Sequence, residues 1–426
     1  MKPAAEQAEK RPAGERLVTL DVIRGVAVMG IFSVNVIAIA MIEPAYFNPA
    51  AAGFETVWDR IVWAANFVLI DGKMRGLFSI LFGASMLLVI ERARATGLSE
   101  AKTHFARMAV LLLVGAIHFY FIWWGDVLML YAVVGMIAFL FRRLEPRSLI
   151  LLALLLFAWI DVPRMLYAPT WWSEYAAAHS AHPTKQALET WAKRAQFFEP
   201  SAAAVAKDRA VHAHYPSYVA DSLTQRRWEP WESFKTLWPE TLALMLLGMA
   251  GFRAGFLTGN WSDRAYRRAA AIGVGIGGAA YVALAAITWR SGFRLPEVVA
   301  GYFSLSAPFR PVMALGYAAA IILLLRRPGA IRDRFAAVGR AAFTNYLGAS
   351  ILGAVAFIGF GLYGRLTRAE AWLLVPVVWL IMLGWSKPWL DRFSYGPFEW
   401  LWRSLARWQV QPLRKRLPPA ASAAEA

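Results

Sequence analysis

Residues 17–42 read LVTLDVIRGVAVMGIFSVNVIAIAMI, an apolar run with two charged side chains near its start, Asp21 and Arg24. Because a helix needs about 20 apolar residues to cross a bilayer, this run predicts a membrane span. It is too long for the apolar core of a cleavable signal, and no small-residue cleavage pattern follows it. We therefore expect a short cytoplasmic tail, residues 1–16, followed directly by the first span.

Apolar runs of similar length recur through the rest of the sequence. Of the 426 residues, 58% are hydrophobic and 17% are charged, whereas soluble domains are about 45–50% apolar and about 25% charged. This surplus excludes a disordered chain and disfavours a soluble enzyme. We predict an all-α transmembrane bundle of about ten spans, near residues 17–42, 74–91, 107–124, 126–141, 148–167, 238–256, 269–289, 298–325, 341–362 and 370–386, with a short helix at 57–70 that leads into the second span.

Basic residues are unevenly distributed among the segments that join these spans. The chain has 45 Lys and Arg against 28 Asp and Glu, a formal net charge of +17. With the N-terminus inside, the inside segments hold 27 basic residues and the short outside segments hold 5. Cytoplasmic loops are enriched in Lys and Arg, so an N-in, C-in topology is predicted. The charge is then a topological signal, and no nucleic-acid partner is expected.

The spans divide the chain into five segments. The segment between the two membrane halves carries four of the six histidines, His179, His182, His212 and His214. Without cysteine or an HExxH pattern, these histidines are expected to be exposed, and no metal site is predicted. The segments are the tail 1–16, the first membrane half 17–167, a helical extracytoplasmic insert 168–237, the second half 238–386, and a cytoplasmic amphipathic segment 387–426 with a disordered tail from Pro412.

His118 is the histidine that lies well inside a predicted span, and Asp126 follows it after Gly125. An ionisable group within a span is a functional candidate by default. A carboxylate beside an imidazole is the usual general-base arrangement, in which the carboxylate orients the ring and stabilises its charged form. The alternative is a histidine hydrogen-bonded between helices, with Asp126 as an ordinary helix cap.

Asp21 and Arg24 are three residues apart, so they share one helix face and can pair. They form either a charged pocket at the inner mouth, where Arg24 holds a phosphate or carboxylate, or an ion pair that locks two helices together. Gly25 beside them allows another backbone to approach closely.

Other polar side chains near or inside the spans are candidates for substrate binding. Lys73 and Arg75 stand at the start of the second span, with Ser79 one turn further, and interfacial snorkelling is the alternative for the two cations. Arg310 lies between two prolines that would break its helix, and a buried arginine requires an anion or a carboxylate partner. Asn35 and Asn345 are more simply read as interhelical hydrogen-bonding groups.

Six motifs together resemble the YeiB-like membrane proteins, which share a domain of unknown function, DUF418. The resemblance runs from about Arg16 to Trp408. The motifs are LDVIRGVAVMGIFSVN (20–35), GKMRGLFSILFGAS (72–85), LLLVGAIHFYFIWWGDVLMLYA (111–132), ALGYAAAIILLL (314–325), VGRAAFTNYLGAS (338–350) and FSYGPFEWLWRSLAR (393–407).

The resemblance extends to the wider group of transmembrane acyltransferases and implies an activity. Such proteins take an acyl group from cytoplasmic acyl-CoA and transfer it to a hydroxyl or amine of an extracytoplasmic acceptor, such as a glycan. The resemblance places the catalytic role on His118, with Asp126 beside it, and places Asp21 and Arg24 on the donor side. It also implies the bacterial inner membrane and no permanently bound cofactor. Arg310 departs from the pattern of the group.

Two other functions fit the same side chains. A buried set of His, Asp and Arg also suits a proton relay in a small-molecule transporter or exporter. A structural or stress-response membrane protein without turnover is a third possibility. Within the acyltransferase interpretation, His118 could be the general base or could carry the acyl group itself.

Overall fold

The computed structural model describes residues 17–415, so the predicted tail 1–16 and residues 416–426 lie outside the described part. The described chain is almost entirely helical, and its β structure is limited to an isolated bridge between Phe393 and Arg414. The prediction of an all-α fold is confirmed. The helices are α1 (Val18–Ala40), α2 (Glu43–Phe47), α3 (Val57–Leu69), α4 (Lys73–Ala95), α5 (Glu100–Phe121), α6 (Leu128–Ala138), α7 (Pro146–Tyr167), α8 (Pro169–Ala178), α9 (Lys185–Ala195), α10 (Ala202–His212), α11 (Tyr215–Thr224), α12 (Glu229–Arg253), α13 (Asp263–Arg290), α14 (Leu295–Ala300), α15 (Phe309–Leu324), α16 (Ala330–Arg340), α17 (Ala342–Ala354), α18 (Arg368–Trp372), α19 (Leu374–Arg392) and α20 (Pro397–Arg407).

Several helices are long and apolar enough to cross a bilayer, as expected for a multi-pass membrane protein. Helix α14 continues as a π-helical turn over Gly301–Leu305 and meets α15 at 63°, and the two arms would form one further span together. The break covers residues 306–308, as the sequence predicted for Pro308, whereas Pro311 lies in the first turn of α15. Predicted span 126–141 is a shorter apolar helical segment. The seven stretches that qualify within residues 17–415 are Val18–Ala40, Val57–Ala95, Glu100–Phe121, Pro146–Ala178, Asp263–Arg290, Ala342–Gly359 and Arg368–Arg392.

Helices α1 and α12 form the centre of the bundle. The most apolar stretch of α1 is 78% buried, whereas that of α13 is 22% buried, so α1 is surrounded by protein while α13 is peripheral. Predicted span 238–256 falls in α12, and nearly all of its residues from Pro239 to Ala250 are buried. The apolar surface of these two helices is therefore covered by other helices rather than by lipid.

Glycines allow the central helices to touch backbone to backbone. A Cβ added to Gly339 on α16 would lie 1.7 Å from the carbonyl oxygen of Asp21 on α1. A Cβ on Gly25 would lie 2.1 Å from the carbonyl oxygen of Phe335, so the contact is reciprocal. In lipid, where no hydrophobic effect drives helices together, small residues at such crossings allow close van der Waals packing between the backbones. The close approach that the sequence predicted at Gly25 is confirmed.

The α1–α16 crossing predicts that Gly339→Ala destabilises the protein by about 1–3 kcal/mol, because the new methyl group can be accommodated only if the backbones separate. Thermal unfolding in detergent should show a lower Tm. Gly348→Ala on α17 is the matched control, since nothing lies within 4 Å of its added Cβ. Equal Tm values for the two variants would contradict the close crossing.

The insert between α7 and the core of α12 is helical, as the sequence predicted, and contacts loops at one end of the bundle. Asn48 Nδ2 donates to the carbonyl of Phe198 at 3.0 Å. Tyr363 Oη donates to the carboxylate of Asp208 at 2.6 Å. These contacts come from loops that are far apart in sequence, so the insert joins several parts of the bundle.

The C-terminal segment departs from its prediction. Residues from Pro412 were expected to be disordered, but the backbone N–H of Ser394 donates to the carbonyl of Leu413 at 2.8 Å. The backbone N–H of Lys415 donates to the carbonyl of Arg392 at 3.3 Å. The prediction is wrong as far as Lys415, because these backbone groups find partners beside α19 and α20.

Candidate active site

His118 and Asp126 form a buried pair. His118 lies in the last turn of α5, which ends at Phe121, and the following loop brings Asp126 back towards the ring. His118 Nδ1 and Asp126 Oδ1 are 3.0 Å apart. Their side chains are 0% and 1% exposed. The pairing of His118 with Asp126 that the sequence suggested is confirmed.

Asp126 also holds the loop in place. Its second oxygen, Oδ2, accepts the backbone N–H of Met129 at 2.8 Å in the first turn of α6. Gly115 on α5 makes room for this arrangement, because a Cβ there would lie 2.6 Å from the Met129 nitrogen and 3.1 Å from Asp126 Oδ2. Asp126 therefore contacts the imidazole through one carboxylate oxygen and the first turn of α6 through the other.

The other imidazole nitrogen, His118 Nε2, is buried and has no hydrogen-bond partner within residues 17–415. A carboxylate at Nδ1 favours the tautomer with the proton on Nδ1, which leaves a lone pair on Nε2. The rings of Tyr346 and Trp123 pack beside the imidazole, with centroids 5.3 Å and 6.3 Å away. The pair thus offers a proton acceptor, Nε2, in a buried position beside two aromatic rings.

The insert covers the end of α5 that carries this pair. Tyr215 Oη donates to the carbonyl of Phe121 at 2.7 Å. Tyr120 Oη donates to the carbonyl of Arg227 at 2.8 Å. The guanidinium of Arg226 lies 4.9 Å from the ring centroid of Trp124, in the loop between α5 and α6. The insert therefore contacts both the end of α5 and the loop that positions Asp126.

Arg75, Glu240 and Arg310 form a second buried group, the arginine–glutamate cluster. Arg75 lies 3.1 Å and Arg310 lies 3.5 Å from the Glu240 carboxylate. Glu240 is 6% exposed and Arg310 is 9% exposed. The carboxylate partner that a buried Arg310 requires is thus identified as Glu240, on the central helix α12. Arg310 also donates to the carbonyl of Tyr302.

Lys73 has partners other than the Glu240 carboxylate, although it is two residues from Arg75. Its ammonium group donates to the carbonyl of Phe67 and lies 3.1 Å from the ring centroid of Tyr281. Its side chain is fully buried, so the snorkelling alternative is wrong for Lys73. Ser79 stays near Arg75: its hydroxyl bonds the carbonyl of Arg75 at 3.0 Å.

Arg24 is occupied by protein groups. It pairs with Asp21 at 2.9 Å, as the i, i+3 spacing predicted, and donates to Ser85 Oγ at 2.6 Å. Asn345 is likewise a structural group: it donates to the Val338 carbonyl and to Ser386 Oγ. Asn35 is half-buried on α1. The structure therefore brings together two sets of candidates, His118 with Asp126, and Arg75 with Ser79 and Arg310.

Glu240 is the main member that sequence reasoning missed. It is an acidic residue inside the predicted span 238–256, so the rule that singled out Arg310 applied to it as well. Its two arginine partners lie on helices far away in sequence, and no local pattern connects them.

The prediction that the insert histidines are exposed is wrong for His212, which is 4% exposed. Its ring stacks on Tyr363 with centroids 3.9 Å apart, and its Nδ1 lies 3.5 Å from the Asp208 carboxylate. Burial lowers the pKa of His212, although Asp208 opposes the shift. Burial also raises the pKa of the Tyr363 hydroxyl, so this group remains protonated and bonds Asp208.

Insert docking should therefore weaken in acid. The neutral form of His212 is favoured in the folded state, while unfolding restores an ordinary pKa of about 6.5. The contribution to stability is complete above that pKa and is lost as the pH falls below it. Amide exchange in α10, corrected for intrinsic rates, should be faster at pH 5.5 than at pH 7.5. His212→Phe should remove this pH dependence of exchange. Loss of the pH dependence in His214→Phe as well would contradict the assignment to His212.

Comparison with known proteins agrees with the sequence resemblance. A family profile described as "Protein of unknown function (DUF418)" matches residues 251–409. The chain is similar to the uncharacterized protein YxaH of Bacillus subtilis (strain 168), with 31% identity over 94% of this chain and 97% of that one. It is also similar to the uncharacterized protein YeiB of Escherichia coli (strain K12), with 30% identity over 92% and 96%. No solved structure matches the chain significantly.

Proposed function

Because the chain belongs to the YeiB-like family of proteins of unknown function, DUF418, its own side chains are the guide to its activity, and we propose that it is a membrane-bound acyltransferase. The observation that carries this proposal is the buried His118–Asp126 pair with a free Nε2. Acyl-CoA is the proposed donor. A hydroxyl or amine of an envelope molecule, such as a glycan, is the proposed acceptor.

The proposed reaction uses Nε2 of His118 as a base. Nε2 takes the proton of the acceptor O–H or N–H as the acceptor attacks the thioester carbonyl. The C–S bond then breaks, and the proton on Nε2 passes to the departing CoA thiolate. Asp126 stabilises the imidazolium that exists between these two transfers. In a variant of this mechanism, Nε2 first attacks the thioester, CoA departs, and the acceptor then attacks the acyl group carried on Nε2.

The proposed topology has about ten spans, with both termini in the cytoplasm and the insert outside the bacterial inner membrane. The 27 to 5 distribution of basic residues supports this orientation. The insert side chains Trp228 and Trp231 are 65% and 54% exposed, which suits rings at headgroup level. His118 would then lie in the outer half of the membrane, close to an extracytoplasmic acceptor.

The test is acyl transfer by the purified protein. Radiolabelled acetyl-CoA and longer acyl-CoAs are incubated with the protein in detergent and an envelope extract. The proposal expects release of free CoA and label in an acceptor molecule. Absence of CoA binding and release at every acyl length, from protein with a sharp unfolding transition, would overturn it.

A transporter with a buried relay is the second candidate, and one cavity favours it. A space of about 20 Å³ lies beside Asp71 and is lined by Tyr46, Asn66, Tyr302 and Arg368, among others. This is room for about one water molecule among polar groups. Asp71 also accepts hydrogen bonds from both tyrosine hydroxyls at 3.3 Å. Proton uptake into proteoliposomes that requires Asp71 but not His118 would favour transport over acyl transfer.

A further inference from the structure

A cleft of about 390 Å³ opens at the end of the bundle opposite the insert, where α4 and α12 end and α5 begins. We call it the arginine cleft. Its volume falls within the range of about 300–1,000 Å³ that is typical of small-ligand sites. The lining residues are Arg94, Glu100, Arg143 and Arg253.

Two cations of the arginine cleft, Arg253 and Arg94, are held by contacts with the fold. Arg253 donates to the carbonyl oxygens of Arg142 and Leu144, which fixes its guanidinium at the end of α6. These two bonds leave further N–H groups of Arg253 for a ligand. Arg94 and Arg142 share a single carboxylate, that of Glu100, at 2.6 Å and 3.1 Å.

Positive charge remains after these pairs are counted. Arg143 is exposed and makes no ion pair within residues 17–415. Glu91 is the second acidic side chain nearby and interacts electrostatically with Arg253 and Arg94. The cleft lining therefore holds three arginines and one glutamate, Glu100, which Arg94 shares with Arg142. Enrichment of basic residues on the cytoplasmic side accounts for arginines at this end, but it does not require them to converge on one concavity.

We propose that the arginine cleft binds a ligand that carries two closely spaced phosphate groups. Guanidinium forks match phosphate oxygens in pairs, and several forks around one concavity favour more than one phosphate. Two sources share this chemistry: the headgroup of a diphosphate phospholipid, and a soluble organic diphosphate such as the head of coenzyme A. Arg24, the anion-binding candidate from the sequence, is already occupied by Asp21 and Ser85.

The arginine cleft is distant from the proposed catalytic pair. Glu100 and His118 lie 18 residues apart on the single helix α5, which is about 27 Å at 1.5 Å per residue. A ligand held in the cleft could reach His118 only through an arm of that length. The binding site therefore stands independently of acyl transfer at His118, and each can fail while the other holds.

The test uses the full chain in nanodiscs. In one arm, pyrophosphate and coenzyme A are titrated by calorimetry into phosphatidylcholine nanodiscs. In the other, cardiolipin retained after exchange into phosphatidylcholine is counted by native mass spectrometry. Saturable binding in one arm is expected and identifies the source. The double variant Arg94→Gln/Arg143→Gln should bind at least about tenfold more weakly, since charge-assisted hydrogen bonds are lost.

Arg290→Gln is the matched control, because Arg290 is an exposed arginine at the far end of α13. Its affinity should equal that of the wild type. Arg143→Gln alone is the second variant, since an exposed arginine without an ion pair can be replaced without unfolding the protein. Absence of saturable binding in both arms, or unchanged affinity in the double variant, would overturn the proposal.

Discussion

We expect His118→Ala to lower the rate of acyl transfer by about 10²–10⁴-fold, the range that a positioned general base contributes. The imidazole is fully buried and holds its Nδ1 against Asp126, so an alanine removes Nε2, the atom that accepts the acceptor proton in the proposed reaction. The measurement is the initial rate of CoA release from acyl-CoA in the presence of envelope extract, at constant protein concentration.

His104→Asn is the matched control for this variant. His104 is also buried on α5, but its Nε2 bonds the carbonyl of Gly135 at 3.0 Å, which is a structural role. The control should keep most of the activity if it remains folded. Asp126→Asn should reduce the rate while leaving acyl-CoA binding unchanged, because the amide no longer stabilises an imidazolium. Similar rates for His118→Ala and the wild type would contradict the assignment.

The second large effect is expected at Glu240. Replacing its carboxylate in Glu240→Gln leaves Arg75 and Arg310 without their shared partner. Removing one member of a buried ion pair destabilises a protein by about 3–5 kcal/mol, because an uncompensated charge stays buried. Thermal unfolding in detergent should therefore show a large fall in Tm, larger than that of Gly339→Ala.

Glu232→Gln is the control on the same helix, since the Glu232 side chain is 64% exposed beside Lys235. A surface pair of this kind contributes about 0–1 kcal/mol, so its Tm should hardly change. The double variant Glu240→Gln/Arg310→Gln should recover part of the loss by removing one of the stranded cations. Equal Tm values for Glu240→Gln and Glu232→Gln would show that the cluster does not stabilise the fold.

Local spacing explains which contacts could be predicted from the sequence. Asp21 and Arg24 pair because three residues on a helix bring side chains to one face. Asp126 reaches His118 because α5 ends at Phe121 and the short loop that contains Gly125 turns the chain back. The apolar runs predicted the helical bundle for the same reason, since each run is a local signal with a defined length.

Contacts between distant segments could not be predicted in this way. The Glu240 cluster joins α4, α12 and α15, and only helix packing brings its members together. Burial of His212 depends on Tyr363, a residue 151 positions away in a different loop. Side-chain direction was the remaining uncertainty: Lys73 and Arg75 are two residues apart on α4 but face different neighbours.

The most direct test of acyl transfer at His118 uses sealed membrane vesicles that contain the full-length protein. Acyl-CoA with a labelled acyl group is supplied on one face, and label in molecules exposed on the other face is measured. The proposal predicts labelling by wild-type protein and by His104→Asn, with a loss of about 10²–10⁴-fold in His118→Ala. Equal labelling by His118→Ala and wild type, or none by folded wild-type protein, would contradict it.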